Sequence, residues 1–335
     1  MKNIIKTFKK CAIAVSVSSV LVAQSFAATP PANMAQQSKA LAAKLFSPSN
    51  ITPIAEDDLE GRIVHRENQI AFSFESEIME QTMIVEINLP YAYFDPENNT
   101  SFPVSYMYDS TLQFQMVASD NFRGSFGGAY MPEMITVGFD AGDYDDECNR
   151  ITNLSFAEIP NDENCGAVGG KADRTIAFLR DELKPLINSL FPIDETQESL
   201  AGHSMGGLFS LYTLFTAPDL FDKYVAISPS LYWADEAMFD MEQTFADSRE
   251  VLGKEVYISA MMDETGGAFQ SFGLPSWWDD SLNERGVNYV FRVGRQLKRH
   301  FPEAAIRLQA FPGEDHNSGA GVAFHEGNQF VFTGK

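Results

Sequence analysis

The stretch "SLAGHSMGGLFSLYTLF", residues 199–215, sets Ser204 between glycines, after β-forming and small residues and before an apolar run of helical character. Gly202, His203, Ser204, Met205 and Gly206 form a G-x-S-x-G pattern. Alone that pattern is weak, because a serine in a glycine-rich bend produces it too. Its flanks sharpen it. "SLA" reads as the end of a short strand, while Leu208, Leu211 and Phe215 fall on one face of a helix. Strand, tight turn and helix are the parts of a nucleophile elbow, in which a strained turn lifts the serine hydroxyl clear of a sheet. Close backbones in such a turn leave no room for side chains at Gly202 and Gly206.

A serine hydroxyl becomes a nucleophile only when a base takes its proton, and that base needs an orienting carboxylate. On an α/β sheet the three follow the order serine, acid, histidine, on loops after successive strands. This chain offers that order. His316, in "FPGEDHNSG", follows the last expected strand in a polar, glycine-flanked loop, where the bland alternative is a surface histidine. Among the others, His65 precedes the core, His203 adjoins the serine and cannot fold back on it, and His300 ends a charged helix. His325, in "AFHEGN", is the competitor. For the acid, "EVYISAMMDETGG" ends a strand with Asp263, the first choice, and Glu264, the reserve. The alternative there is a pair of solvated acids opening a turn. The negative oxygen of a tetrahedral intermediate also needs donors. By position these are the backbone N–H of Met205 and that of Ser110 or Thr111, after "VSYMYD".

Working outward, "IAFSFES", "MIVEINLP", "FPVSYMYD" and "MITVGFD" read as strands, and "STLQFQMVASDNF" as a loop and helix. "ADRTIAFLRDELKPLINSLF" places Ile176, Phe178, Leu179, Leu183, Leu186, Ile187 and Leu190 near helical spacing, hence one helix with a buried face. "DKYVAIS" and "EVYISAMM" follow as strands, "VNYVFRVGRQLKRHF" as a helix and "AIRLQAFPG" as a last strand. Buried strands alternating with helices predict a mostly parallel sheet covered on both faces.

The N-terminal "MKNIIKTFKKCAIAVSVSSVLVAQSFA" has four lysines, a short apolar core and a Ser25-Phe26-Ala27 cleavage site. It reads as a secretory signal peptide over residues 1–27, too short in its apolar core to anchor as a membrane span. Residues 28–60 read as a linker and 61–335 as the catalytic domain. No other stretch is apolar enough to cross a bilayer, so the expected mature chain is periplasmic or secreted. Removing four lysines and no acids takes the formal charge from −22 to −26. A surface so acidic repels phosphate backbones, which excludes nucleic acid as a partner. Of three cysteines, Cys148 and Cys165 remain after cleavage. In an oxidising compartment, with a polar loop between them and no zinc spacing, they are expected to form a disulfide worth about 3 kcal/mol.

These residues resemble the esterase D-like "putative esterase" family of α/β-hydrolases, which includes siderophore, feruloyl and acetyl-xylan esterases, S-formylglutathione hydrolases and mycolyltransferases. The resemblance runs from about Phe72 to His316, through "INLPYAYFD", "FPVSYMYDS", "MPEMITVGF", "GHSMGG", "APDLFDKYVAISPSLYW" and "GEDHNSG". It implies an α/β-hydrolase fold and a serine hydrolase that needs neither metal nor organic cofactor, with Ser204 and His316 in the family's catalytic places. Asp263 carries over with a departure, since the family has glycine before its acid where this chain reads "SAMMDE". Ser110 stands where the family's loop often has glycine. "ISPSLYW", with Tyr232 and Trp233, looks like the family's segment beside the active site. Trp233, Trp277 and Trp278 either line the substrate cleft or serve as packed cover. The expected activity is hydrolysis of a small-molecule or glycan-linked carboxylic ester through an acyl-enzyme. The alternatives are an acyltransferase on the same triad and a binding module on a hydrolase scaffold.

Overall fold

The computed structural model describes residues 51–53, 68–125, 130–141, 146–245, 253–262 and 280–335. The expected signal peptide, most of the expected linker, His65, Asp263, Glu264, Trp277 and Trp278 lie outside the described residues.

The apolar runs assemble into a nine-stranded sheet of order β1-β2-β3-β5-β4-β8-β9-β10-β11. Its strands are β1 (Ile51–Pro53), β2 (Gln69–Ser76), β3 (Gln81–Asn88), β4 (Phe102–Tyr108) and β5 (Ile135–Ala141). They continue with β8 (Ile193–His203), β9 (Lys223–Ile227), β10 (Glu255–Met261) and β11 (Ala305–Phe311). From β5 to β11 every pairing is parallel, while β1, β2 and β3 form an antiparallel edge. Within the stretch read as a linker, β1 pairs with β2 at Ile51↔Phe74. Parallel strands end at a common edge, so the segments after β4, β8, β9, β10 and β11 all emerge on one side of the molecule. Brought together there are the starts of loops more than two hundred residues apart.

Strand residues alternate between two apolar layers, as a sheet covered on both sides requires. On β9, Tyr224 and Ala226 join the larger layer, and Val225 and Ile227 the smaller. The larger is roofed by α3 (Ala172–Phe178), α4 (Lys184–Leu190), α5 (Met205–Thr216) and α7 (Asp280–His300), through residues such as Ile176, Ile187, Leu208 and Val293. On the opposite face, α1 (Ser110–Ser125) and α8 (Ala320–Thr333) contribute Phe114, Val117, Ala323 and Phe324. The arrangement is the expected mostly parallel α/β-hydrolase sheet.

Two local departures have physical causes. The helix expected over 172–191 is α3 and α4 joined by a π turn at Leu179–Leu183, just before Pro185, whose missing N–H removes an i→i−4 bond. The polar loop between the cysteines is structured instead. Asp146 caps α2 (Glu147–Leu154) by accepting the Asn149 N–H at 2.9 Å, and the hairpin of β6 (Glu158–Asp162) and β7 (Gly166–Gly169) follows. The disulfide joins that helix to the hairpin, with Cys148 and Cys165 bonded and their Cα atoms 5.6 Å apart. The competitor His325 stands within α8.

Candidate active site

β8 ends at His203 and α5 begins at Met205, so Ser204 alone makes the turn between them. Its backbone sits at φ 59°, ψ −119°, a conformation that costs a side-chain-bearing residue on the order of 1–3 kcal/mol. Three hydrogen bonds hold it there: Ser204 N–H donates to the Ile227 carbonyl at 2.9 Å, and its own carbonyl accepts from Leu208 N at 3.0 Å and Ser230 N at 3.1 Å. A Cβ on Gly202 would lie 2.3 Å from the Gly206 carbonyl, which makes Gly202 obligatory. At Gly206 the nearest outside atom to such a Cβ is Asp109 Oδ2, at an ordinary 3.4 Å. The second crowded position is instead Gly207, whose Cβ would fall 2.9 Å from the Ile227 carbonyl oxygen. Expected crowding at Gly206 is thus corrected to Gly207, because it is the third α5 position that faces the β9 strand end.

The Ser204 hydroxyl lies 3.4 Å from that of Ser230, which in turn receives the Tyr232 hydroxyl at 3.4 Å. Met205 opens α5, and the first N–H groups of a helix have no partner within it. Ser110 likewise opens α1 at the end of β4, which places the Ser110 and Thr111 backbones in the first turn of a helix at the same sheet edge.

His316 is buried in the segment between β11 and α8. Its ring centroid is 4.3 Å from that of His203, the residue before Ser204. The segment is tied down by Asp315, whose carboxylate accepts N–H bonds from Asn317 at 2.9 Å and Ser318 at 2.8 Å. Those bonds hold the Asp315 carboxyl below its usual range. A Cβ on Gly319 would fall 2.2 Å from Met261 Sδ, so this segment packs on the end of β10, two residues before Asp263. The competitor His325 faces elsewhere, its Nδ1 2.9 Å from Asp120 of α1.

His203, which has no role in the sequence reading, is a buried part of the site. Gln113 Nε2 donates to His203 Nδ1 at 2.9 Å, leaving the ring proton on Nε2. Burial, then the neighbouring His316 and Arg150, hold its pKa well below the ordinary histidine value, so the ring is neutral. Two further residues also went unread. Asp109, which ends the β4 segment, is gripped by Arg150 of α2 through Nε to Oδ1 at 2.5 Å and Nη2 to Oδ2 at 2.8 Å. Only the fold could bring them together, since neither the 41-residue separation nor any periodicity marks the pair.

A cavity of about 430 Å³ is lined by Glu158, Ile159 and Pro160 of the hairpin and by the run Tyr232 to Asp235, and it connects to Ser204 through Tyr232, whose hydroxyl donates to Ser230. Trp233 is buried, with Nε1 donating to the Ala157 carbonyl at 2.8 Å, and it also lines one wall of the cavity. Ala234, Asp235 and Glu236 run consecutively at φ 49°, 55° and 67° along the rim.

Known proteins share this fold and part of this sequence. The chain is 27% identical over 262 residues to the siderophore triacetylfusarinine C esterase of Aspergillus fumigatus, covering 70% of this chain and 83% of that one. Against the ferri-bacillibactin esterase BesA of Bacillus subtilis it is 28% identical over 148 residues, 41% of this chain and 51% of that protein. Among solved structures, an IroE-like serine hydrolase from Shewanella oneidensis superposes with a TM-score of 0.67 at 20% identity, covering 79% and 80% of the two chains. Residues 76–296 match the family described as "Putative esterase". The chain belongs to that family and is an ester-cleaving hydrolase of the α/β-hydrolase fold.

Proposed function

We propose that the chain is an exported serine esterase acting on small-molecule esters of the siderophore type, with Ser204 as nucleophile and His316 as general base. The observation that carries this reading is the strained Ser204 backbone at the β8–α5 turn, beside which the buried His316 ring packs on His203. Ser204 Oγ attacks the ester carbonyl as His316 takes its proton, and the N–H groups of Met205 and of Ser110 or Thr111 receive the charge on oxygen. The alcohol departs with the proton returned by His316. Water, activated by the same imidazole, then releases the acid. Asp263, with Glu264 in reserve, completes the triad by orienting His316.

The substrate class is supported by the relatives, one named a siderophore triacetylfusarinine C esterase and another a ferri-bacillibactin esterase. The cavity of about 430 Å³ suits one arm of such a molecule rather than a whole macrocycle. Glu158 and Asp235 on its wall favour neutral or cationic arms, such as hydroxamates, over anionic catecholates. Export is supported by the 1–27 segment and the Cys148–Cys165 bond, which needs an oxidising compartment. Among the described residues no helix is long and apolar enough to cross a membrane.

The deciding experiment maps a fluorophosphonate adduct by mass spectrometry in wild type, Ser204→Ala and His316→Ala. A Ser204 adduct that forms in wild type and not in His316→Ala is expected. An adduct on another serine overturns the assignment. Hydrolysis of a trihydroxamate ester measured beside a tricatecholate lactone tests the substrate class, and transfer to added alcohols beyond solvent partitioning would mark an acyltransferase.

A further inference from the structure

Asp109 occupies an unexpected place for a carboxylate. It is 1% exposed, stands at φ 65°, and immediately precedes α1. Its carbonyl accepts the Gln113 N–H at 3.1 Å, a first-turn bond of α1, and its Oδ2 approaches Gly206 in the first turn of α5. It therefore lies between the two helix starts that supply the oxyanion donors in the proposed mechanism. A lone negative charge there would oppose the one that develops on the substrate oxygen.

Arg150 cancels it. The side-on fork uses both Asp109 oxygens, at 2.5 and 2.8 Å, and Nη1 reaches Glu147 at 2.9 Å. Burial disfavours the guanidinium cation, yet the Asp109 carboxylate outweighs that penalty and raises its pKa. Tyr108, Asp140, Glu147 and His203 are the other titratable groups in this neighbourhood. Arg150 is itself fixed from outside, because Cys148, two residues earlier on α2, is bonded to the hairpin.

We infer that Arg150 is a positioning residue for ester cleavage: its grip on Asp109 sets the start of α1 beside Ser204 and neutralises a carboxylate that would resist the oxyanion. The inference rests on Ser204 being the nucleophile. It concerns a charge felt in the transition state, so it predicts loss in kcat with KM nearly unchanged.

Steady-state kinetics with p-nitrophenyl acetate on the full chain, with folding followed by circular dichroism, test it. Arg150→Met should lower kcat about 100-fold, the effect of one lost oxyanion donor, with KM within about threefold. The double variant Asp109→Asn/Arg150→Met removes both charges and should regain about tenfold in kcat over Arg150→Met. Arg150→Lys, which keeps the charge without the fork, should lose about tenfold. A folded Arg150→Met with kcat within about threefold of wild type, or a double variant no faster than Arg150→Met, overturns the inference. Should Arg150→Met fail to fold, wild-type kcat in Arg150→Lys overturns it equally. Fluorophosphonate mapping of the wild type separates the two readings: an adduct away from Ser204 removes the nucleophile assignment, while a Ser204 adduct with unaffected Arg150 variants removes only this one.

Discussion

The serine end of the site and the wall of its cavity are built by opposite means. Around Ser204 every neighbour is buried, both backbone groups of the residue are bonded, and a single added methyl at Gly202 would strike a carbonyl at 2.3 Å. Across the cavity, Glu158, Pro160 and Asp235 are exposed, on a hairpin and a left-handed turn that a disulfide and one tryptophan hold in place. The proposed chemistry tolerates no displacement of the Ser204 oxygen, and that oxygen stands in the packed region. Selection of an ester needs shape and charge at the rim, and the rim can vary without disturbing the elbow.

Perturbing the two regions separately should therefore give effects of very different size. Ser204→Ala should remove about 10⁴-fold or more of kcat in ester hydrolysis while leaving the melting temperature near wild type. Gly202→Ala should cost about 3 kcal/mol in denaturant unfolding, the upper end for inserting a methyl into packed atoms, and should take most of the activity with it. Cys148→Ser/Cys165→Ser should cost a similar 3 kcal/mol by the same measurement, but retain the fluorophosphonate adduct. A Cys double variant as stable as wild type would mean that the hairpin needs no tether.

His203 sharpens the comparison through pH. Its folded-state pKa is depressed by burial, so the unfolded chain binds the proton more readily. The stability it contributes is present above the unfolded histidine value of about 6.5 and is lost as pH falls below it. His203→Gln should flatten that acid-side decline in urea titrations. The smallest effect belongs to the rim: Glu158→Gln/Asp235→Asn should lower KM for a carboxylate-bearing ester about threefold and leave that for a neutral one unchanged. An equal change for both esters would show that these acids do not sense substrate charge.

Legibility in the sequence followed the same division. Short apolar runs such as "KYVAI" are strands because both faces are buried, and the pattern at 202–206, read with its strand and helix flanks, marks the strand–turn–helix. Helix α8 escaped notice because its start, "GAGVAFHEGN", is rich in glycine, a poor helix former, although it packs on the sheet through Ala323 and Phe324. α2 escaped because eight mostly polar residues gain their helix from an Asp146 cap and a disulfide, neither of which shows as periodicity. Trp233 reads equally as cleft or cover, and in the fold it is buried against the Ala157 carbonyl while also lining the cavity. Asp109 and Arg150 were invisible for a deeper reason. A buried ion pair is a property of two distant positions at once, and each alone looks like one more charge in an acidic chain.

Because the Ser204 amide and carbonyl are both engaged, the acyl group of the proposed mechanism would start from a fixed origin and swing only about side-chain bonds. Acyl length must then be measured by whatever stands at the far end of the swing. Anyone wishing to retarget the enzyme would leave residues 202–207 alone and rebuild the two facing banks, 158–160 and 232–235, like resetting the fence of a saw whose blade does not move.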